Sequence, residues 1–239
     1  MLCYPEMDSL AVSCDGSFMP TEVKICGLSN PEGVDAALEA RADLIGFVFF
    51  PRSPRNVTLD AAAGLMRRAR GKAQLVALMV DPEQSFLDDV AGYLAPDLIQ
   101  LHGRETPDRV AQISADTGIP VMKAIGVADA SDLVAVAGYG SADRLLLDAK
   151  PVSGAARPGG NGAVFDWSLL DGFSHPKPWL LSGGLNPANV GAAIRASGAT
   201  GVDVSSGVER APGVKDPALI RAFIAAVRAA EYSGRQAAC

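Results

Sequence analysis

The chain has 239 residues, about the length of one large α/β domain. Its formal net charge of −6 excludes the basic surface that nucleic acid or an anionic membrane would select. Hydrophobic residues make up 49 % of it, ample for a sizeable core, yet no apolar run nears the ~20 residues that span a bilayer.

Four cysteines (Cys3, Cys14, Cys26, Cys239) show neither zinc spacing nor the density of a secreted disulfide scaffold. The only histidines are His102 and His175, which argues against a histidine-based metal site. These features describe a reduced cytoplasmic protein without a histidine-based metal site. Residues 1–21 carry no periodicity, no basic segment and no continuous apolar segment, so they read as a flexible tail rather than a secretory signal. Met19, just before the first clear strand, is an alternative start.

From Glu22 the chain alternates regularly. Residues 23–27 (VKICG) read as a strand, and a helix opens near Pro31 with Val34, Ala37 and Leu38 on one face. Residues 44–50 (LIGFVFF) form the second strand, followed by a PRSPRN loop and a helix over 59–70. The third strand (74–80) precedes a helix after Asp81-Pro82, and the fourth (97–103) precedes one near Thr106-Pro107. The fifth strand (120–127) leads to a helix over 130–136. The sixth (144–150, RLLLDAK) runs into a Gly- and Pro-rich loop over 151–165. The last two apolar runs, 179–185 (WLLSGGL) and 201–209 (GVDVSSGVE), stop in small residues, and Asn186-Pro187 opens a helix to about Ser197 between them. A final helix covers about 217–230.

About eight strand–helix units, roughly 25 residues apart and without a composition break, imply one domain over 22–239. Parallel strands with right-handed crossovers close at that number into a (β/α)₈ barrel. The alternative, an open doubly wound sheet, lacks a G-x-G-x-x-G fingerprint after the first strand. In a barrel the functional groups lie at the carboxyl ends of the strands.

Read end by end, the strands offer several candidates. Lys24 and Cys26 share one face of the first strand; if Val23 and Ile25 pack against helices, Cys26 faces the barrel mouth. There it is either a reactive thiol or a small buried hydrophobe. Asp148 closes a run of leucines, an expensive place for a carboxylate unless it is hydrogen-bonded or functional. Cys26 and Asp148 lie apart around the ring, which suits an acid and a base acting on different atoms of one substrate. Arg52 and Arg55 sit in a proline-stiffened loop, expected to be exposed, where a guanidinium holds a planar carboxylate or is merely solvated. His102 closes the fourth strand as a hydrogen-bonding wall of the pocket. The turns Ser182-Gly183-Gly184 and Ser205-Ser206-Gly207, on successive strands, form a phosphate cradle of backbone N–H groups; otherwise their glycines only permit tight turns. Gly154, Gly159, Gly160 and Gly162 lie in a loop that closes over the mouth or is slack.

Taken in order, VKICGL, GFVFFPRSPR, QLHG, LLLDAK, the GG-x-G loop leading to FDW, LSGGLNPANV and GVDVSSGVE resemble the phosphoribosylanthranilate isomerase family over nearly the whole chain except the tail. The resemblance implies a (β/α)₈ barrel of tryptophan biosynthesis that catalyses an Amadori rearrangement of a small phosphosugar without cofactor or metal. It further implies Asp148 as general acid, Cys26 as general base and Arg55 at the anthranilate ring and carboxylate. Gly183, Gly184, Ser206 and Gly207 lie where that family binds phosphate, and a monomer is expected. Near neutral pH the cysteine must be lowered, with Lys24 the candidate for doing so. Two rivals remain: a Schiff-base lyase using Lys150, on the same face of its strand as Asp148, and a phosphosugar-binding barrel without catalysis.

Overall fold

Eight short apolar runs become eight parallel strands: β1 (Glu22–Cys26), β2 (Leu44–Phe49), β3 (Gln74–Met79), β4 (Leu98–Leu101), β5 (Val121–Val127), β6 (Arg144–Ala149), β7 (Trp179–Leu181) and β8 (Gly201–Val204). They pair in sequence order, and β1 pairs with β8 to close a barrel. This computed structural model describes residues 20–150, Gly159 and residues 165–237, with side chains as far as residue 231. Apart from Pro20 and Thr21 the expected tail lies outside the described residues, as do Gly154, Gly160 and Gly162 of the loop after β6. Thr21 belongs to the barrel: it is buried, its N–H donates to Glu231 and its carbonyl accepts from Arg228.

Helices α1 (Pro31–Glu39), α2 (Leu59–Ala69), α3 (Gln84–Asp89), α4 (Pro107–Thr117), α5 (Ala130–Val136), α6 (Val190–Ser197) and α7 (Pro217–Ala237) cover the outside. Asn30, Thr58, Thr106 and Asp129 cap the starts of α1, α2, α4 and α5 through their side-chain oxygens. Two boundaries differ from the sequence reading. Asn186 accepts from Ala188 and Asn189 in a turn, and α6 proper begins only at Val190. Helix α7 runs on to Ala237, beyond the expected end near 230. After β6 the described residues hold only a 3₁₀ turn (Trp167–Leu170), and a hairpin of β9 (Glu209–Ala211) with β10 (Val214–Lys215) follows β8.

Alternate strand residues divide the core. Val23, Ile25, Ile45, Phe47, Ile99, Leu145 and Leu147 face the helices. Leu44, Val76, Leu98, Met122, Ala124, Leu146 and Leu180 fill the barrel interior. Toward the mouth lie the buried polar residues Lys24, Gln100 and Asp203 and a small cluster of Cys26, Val48 and Leu78. Gly46 makes room there, because a Cβ on it would stand 3.1 Å from Cys26 Sγ and 3.3 Å from Lys24 Nζ.

The opposite end is stitched by a recurring device. Asp43, Asp97 and Asp143 each precede an even-numbered strand, and each accepts at 2.8 Å the first free N–H of the preceding strand, from Val23, Leu75 and Val121. These are charge-assisted bonds at strand starts that would otherwise leave a donor unpaired.

Candidate active site

A cleft opens at the carboxyl ends of the strands. Along the arc from β2 and β3 its wall is apolar, with Val48, Phe50, Leu78 and Val80; along the arc from β7 and β8 it is made of Ser182, Gly183, Gly184, Ser205 and Ser206. One part therefore suits an aromatic face, and the other offers hydroxyls and backbone amides.

The two turns are built for close approach. Gly183 (φ +90°) and Gly184 (φ +61°) adopt left-handed backbone, and a Cβ on Gly183 would lie 2.6 Å from Ala149 N. The N–H groups of Gly183, Gly184 and Ser206 have no acceptor among the described residues. Gly207 does not border the cleft. It lies behind it, where a Cβ would come within 1.9 Å of Leu185 O, so it lets the β8 turn press against the β7 turn.

Cys26 faces the cleft from β1. Beneath it Lys24 Nζ donates to Asp203 Oδ1 at 2.8 Å, and Asp203 also accepts from Ser182 Oγ at 3.1 Å. Burial opposes the Lys24 charge, yet Asp203 and Cys26 beside it hold the ammonium above its ordinary range. Burial likewise pushes the Cys26 thiol up, and the pull of Lys24 and Lys215 only partly offsets it. The expectation that Lys24 leaves the thiol lowered is thus corrected: burial outweighs the pull of Lys24, whose charge is shared with Asp203.

Across the ring Asp148 Oδ1 accepts from the N–H of Ala149 at 2.9 Å, and its Oδ2 lies 3.2 Å from His102 Nε2. His102 therefore touches the carboxyl directly, besides forming pocket wall. Its Nδ1 lies 3.0 Å from Gln100 Nε2, in a chain of three side chains from the barrel interior to the mouth. Gly159 lies over the pair; a Cβ there would meet His102 Nε2 at 2.5 Å and Asp148 Oδ2 at 2.8 Å.

Arg55 is buried, at 5 % exposure, which corrects the exposed-loop expectation. Its Nε and Nη2 donate to Glu209 Oε1 and Oε2 at 2.6 and 2.8 Å, a bidentate fork that leaves Nη1 uncommitted among the described residues. Glu209 also accepts from Lys215 Nζ at 2.7 Å. Burial works against the Glu209 charge, but Arg55 and Lys215 outweigh it and hold its carboxyl below the ordinary range. Two cations share that one anion, and the buried Lys215 is the one pushed down. Arg52 is exposed and does not border the cleft. Glu209, Lys215, Asp203 and Gln100 were given no role from sequence, though Glu209, Asp203 and Gln100 all stand inside the motifs quoted above.

Lys150 does not border the cleft. It lies one residue beyond β6, its side chain is 53 % exposed and it pairs with Asp132 at 2.7 Å, which raises its pKa. A Schiff-base lysine needs the opposite shift and a place in the pocket, so the lyase reading loses its nucleophile.

The sequence model of the family described as N-(5'phosphoribosyl)anthranilate (PRA) isomerase matches residues 23–226. A relative from Paramagnetospirillum magneticum, named N-(5'-phosphoribosyl)anthranilate isomerase, is 56 % identical over 211 residues, covering 88 % of this chain and 98 % of its own. A crystal structure of monomers generated from the dimeric phosphoribosylanthranilate isomerase of Thermotoga maritima is 36 % identical, with TM-score 0.74, over 87 % of this chain and 99 % of that one. A further isomerase, solved in complex with reduced 1-(o-carboxyphenylamino)-1-deoxyribulose 5-phosphate, is 35 % identical, with TM-score 0.75, over the same shares.

Proposed function

The chain belongs to the N-(5'-phosphoribosyl)anthranilate isomerase family, and from that premise we propose that Cys26 and Asp148 are the proton-transfer pair of its reaction. The reaction is the Amadori rearrangement of N-(5-phosphoribosyl)anthranilate to 1-(2-carboxyphenylamino)-1-deoxyribulose 5-phosphate in tryptophan biosynthesis. One observation carries the assignment: a thiol and a carboxyl reach a single cleft from β1 and β6, three strands apart around the closed ring.

In the proposed mechanism Asp148 gives its proton to the furanose oxygen as the C1–O bond breaks, and the anthranilate nitrogen lone pair completes a Schiff base. The Cys26 thiolate then takes the proton from C2, and the resulting enolamine tautomerises to the ketone. The phosphate rests on the amides of Gly183, Gly184 and Ser206, with Gly207 holding the two turns together. The anthranilate ring lies along Val48, Phe50, Leu78 and Val80. Arg55, braced by Glu209, presents its Nη1 to the anthranilate carboxylate.

Arg55→Ala is expected to lower kcat/KM by roughly 2–3 kcal/mol, the loss of a charge-assisted hydrogen bond. Because Arg55 is half of a buried ion pair, the variant also melts earlier. Adding Glu209→Gln should lower the melting temperature further, because it leaves the buried Lys215 without its carboxylate, and should recover none of the kcat/KM. Unchanged kcat/KM in Arg55→Ala would remove the arginine from the substrate site.

The active form needs an ionised thiol and a protonated carboxyl, while free carboxyls and thiols titrate near about 3.9 and 8.5. A free carboxyl is mostly ionised and a free thiol mostly protonated near neutrality, the reverse of what the two roles need. When the base has the higher pKa, the population of that form stays level between the two values and falls above the higher one. Since burial raises Cys26, kcat/KM is expected to hold level through neutrality and to fall only above about pH 8.5. A decline complete by pH 7.5 would contradict the assignment of the thiol.

Among the described residues no group of three or more His, Cys, Asp or Glu is arranged to hold a metal ion. The proton transfers need none, so activity is expected to survive exhaustive EDTA treatment; a loss restored by zinc or magnesium would overturn this.

We further propose a cytoplasmic monomer. No described helix is long and apolar enough to cross a membrane, and among the described residues the exposed large hydrophobics are Tyr93 and Val134, on different elements.

A further inference from the structure

The hydrogen bonds of Asp148 set a chemical problem. A general acid must carry a proton, yet Asp148 accepts from the Ala149 N–H at Oδ1 and faces His102 Nε2 at Oδ2. With Gln100 Nε2 donating to Nδ1, the neutral ring carries its proton on Nε2 and donates it to Asp148. Both are bonds that a carboxylate accepts, so neither holds the proton that an acid must give.

Gln100 holds the remedy. It is fully buried in the barrel interior, and its Oε1 has no hydrogen-bond partner among the described residues. A buried amide oxygen without a donor is costly and unusual. A half-turn of the amide would bring that oxygen to Nδ1, where it accepts a hydrogen bond instead of donating one.

We propose that Gln100 is a positioning residue that lets His102 and Asp148 together hold the proton delivered to the substrate. In the resting pair one proton lies on Nε2 and Asp148 is ionised. The loaded pair has taken one more proton, on Nδ1, which donates to the turned Oε1 of Gln100. The Nε2 proton then passes along the existing contact to Oδ2, leaving neutral histidine beside a protonated Asp148. When Asp148 gives that proton to the furanose oxygen, the pair keeps the proton on Nδ1 and returns to rest by a shift of that proton to Nε2 through solvent. Gly159, which puts no side chain between the two groups, keeps the contact direct. Among the described residues, the charged and titratable groups facing the pair across the cleft are Cys26 of β1, Arg55 after β2 and Asp203 of β8, with Lys24 bound to Asp203.

This inference rests on Asp148 being the acid, but its test does not depend on turnover. With two histidines in the chain, ¹⁵N spectra of the full-length protein labelled at the imidazole nitrogens resolve His102 once His175→Gln removes the other. At high pH, Nδ1 is expected to be unprotonated and Nε2 protonated; on acidification Nδ1 gains the proton over the same pH range in which kcat leaves its level region and begins to fall. Gln100→Glu, whose carboxylate stabilises a protonated Nδ1, should move both transitions up by roughly one pH unit. Gln100→Met, of similar size but without an acceptor, should move both down. Melting curves identify a variant that fails to fold, and the wild-type spectra decide the matter without it. A ring already protonated on Nδ1 at high pH, or a kcat transition unmoved in a folded Gln100→Glu, would overturn the inference. Wild-type kcat in Asp148→Asn would instead overturn the acid itself.

Discussion

Replacing Cys26 with alanine is expected to lower kcat by at least ~10²-fold, the lower end for losing a general base, while substrate still binds. Among the described residues the groups beside it offer no substitute. Lys24 is a cation committed to Asp203, and Asp203 is itself engaged by Lys24 and Ser182. Binding is spared because the proposed contacts for the phosphate and the anthranilate carboxylate come from other strands. Cys26→Ser should be nearly as poor, since a hydroxyl is far too weak an acid to supply an anion in a site that already raises a thiol. Substrate should also slow alkylation of Cys26 by occupying the cleft that the thiol faces. The checks are steady-state kinetics by loss of anthranilate-type fluorescence and the alkylation rate with and without a substrate analogue. Wild-type kcat in Cys26→Ala would make the thiol a packing group and remove the catalytic base.

Asp148→Asn is expected to have a comparable effect on the other half of the reaction. Asparagine keeps the shape, and its carbonyl oxygen still accepts from the Ala149 N–H, so the fold and the melting temperature should change little. An amide has no proton to release to an ether oxygen, so ring opening loses its acid and kcat falls by at least ~10²-fold. This separates two roles that the position combines. The carboxylate does cap a neighbouring N–H, as a purely structural aspartate would, and asparagine preserves that role while removing the acid. A variant with normal kcat and normal melting would leave only the cap.

Much of the fold is legible because each strand is a short apolar run whose alternate residues must choose between the barrel interior and the helices. Val23 and Ile25 turn to the helices while Lys24 and Cys26 turn inward, as alternation requires. The repeated aspartate before β2, β4 and β6 is a further signal, visible as Ala42-Asp43-Leu44, Pro96-Asp97-Leu98 and Ala142-Asp143-Arg144, and it marks the pairwise build of the barrel.

What alternation cannot supply is the consequence of closure. Lys24 meets Asp203 across 179 positions, and Arg55 meets Glu209 across 154, because β8 returns to the side of β1. The loop carrying Arg55 reads as solvated only until the β9–β10 hairpin folds over it; Gly213 lies so near that a Cβ would stand 2.4 Å from Pro54 O. Lys150 fails for a different reason. The two-residue period holds only within a strand, and β6 ends at Ala149, so sharing a face with Asp148 no longer follows.

The account's central claim divides the reaction between two groups: Asp148 opens the ring and Cys26 then removes the C2 proton. The measurement that tests it most directly is the kcat isotope effect of substrate deuterated at ribose C2, taken on both variants. In Cys26→Ala the breaking of the C2 bond limits turnover, and a full primary effect is predicted. In Asp148→Asn ring opening limits turnover before that bond is touched, and no effect is predicted. The reverse pattern, or equal effects in both variants, would contradict the assignment.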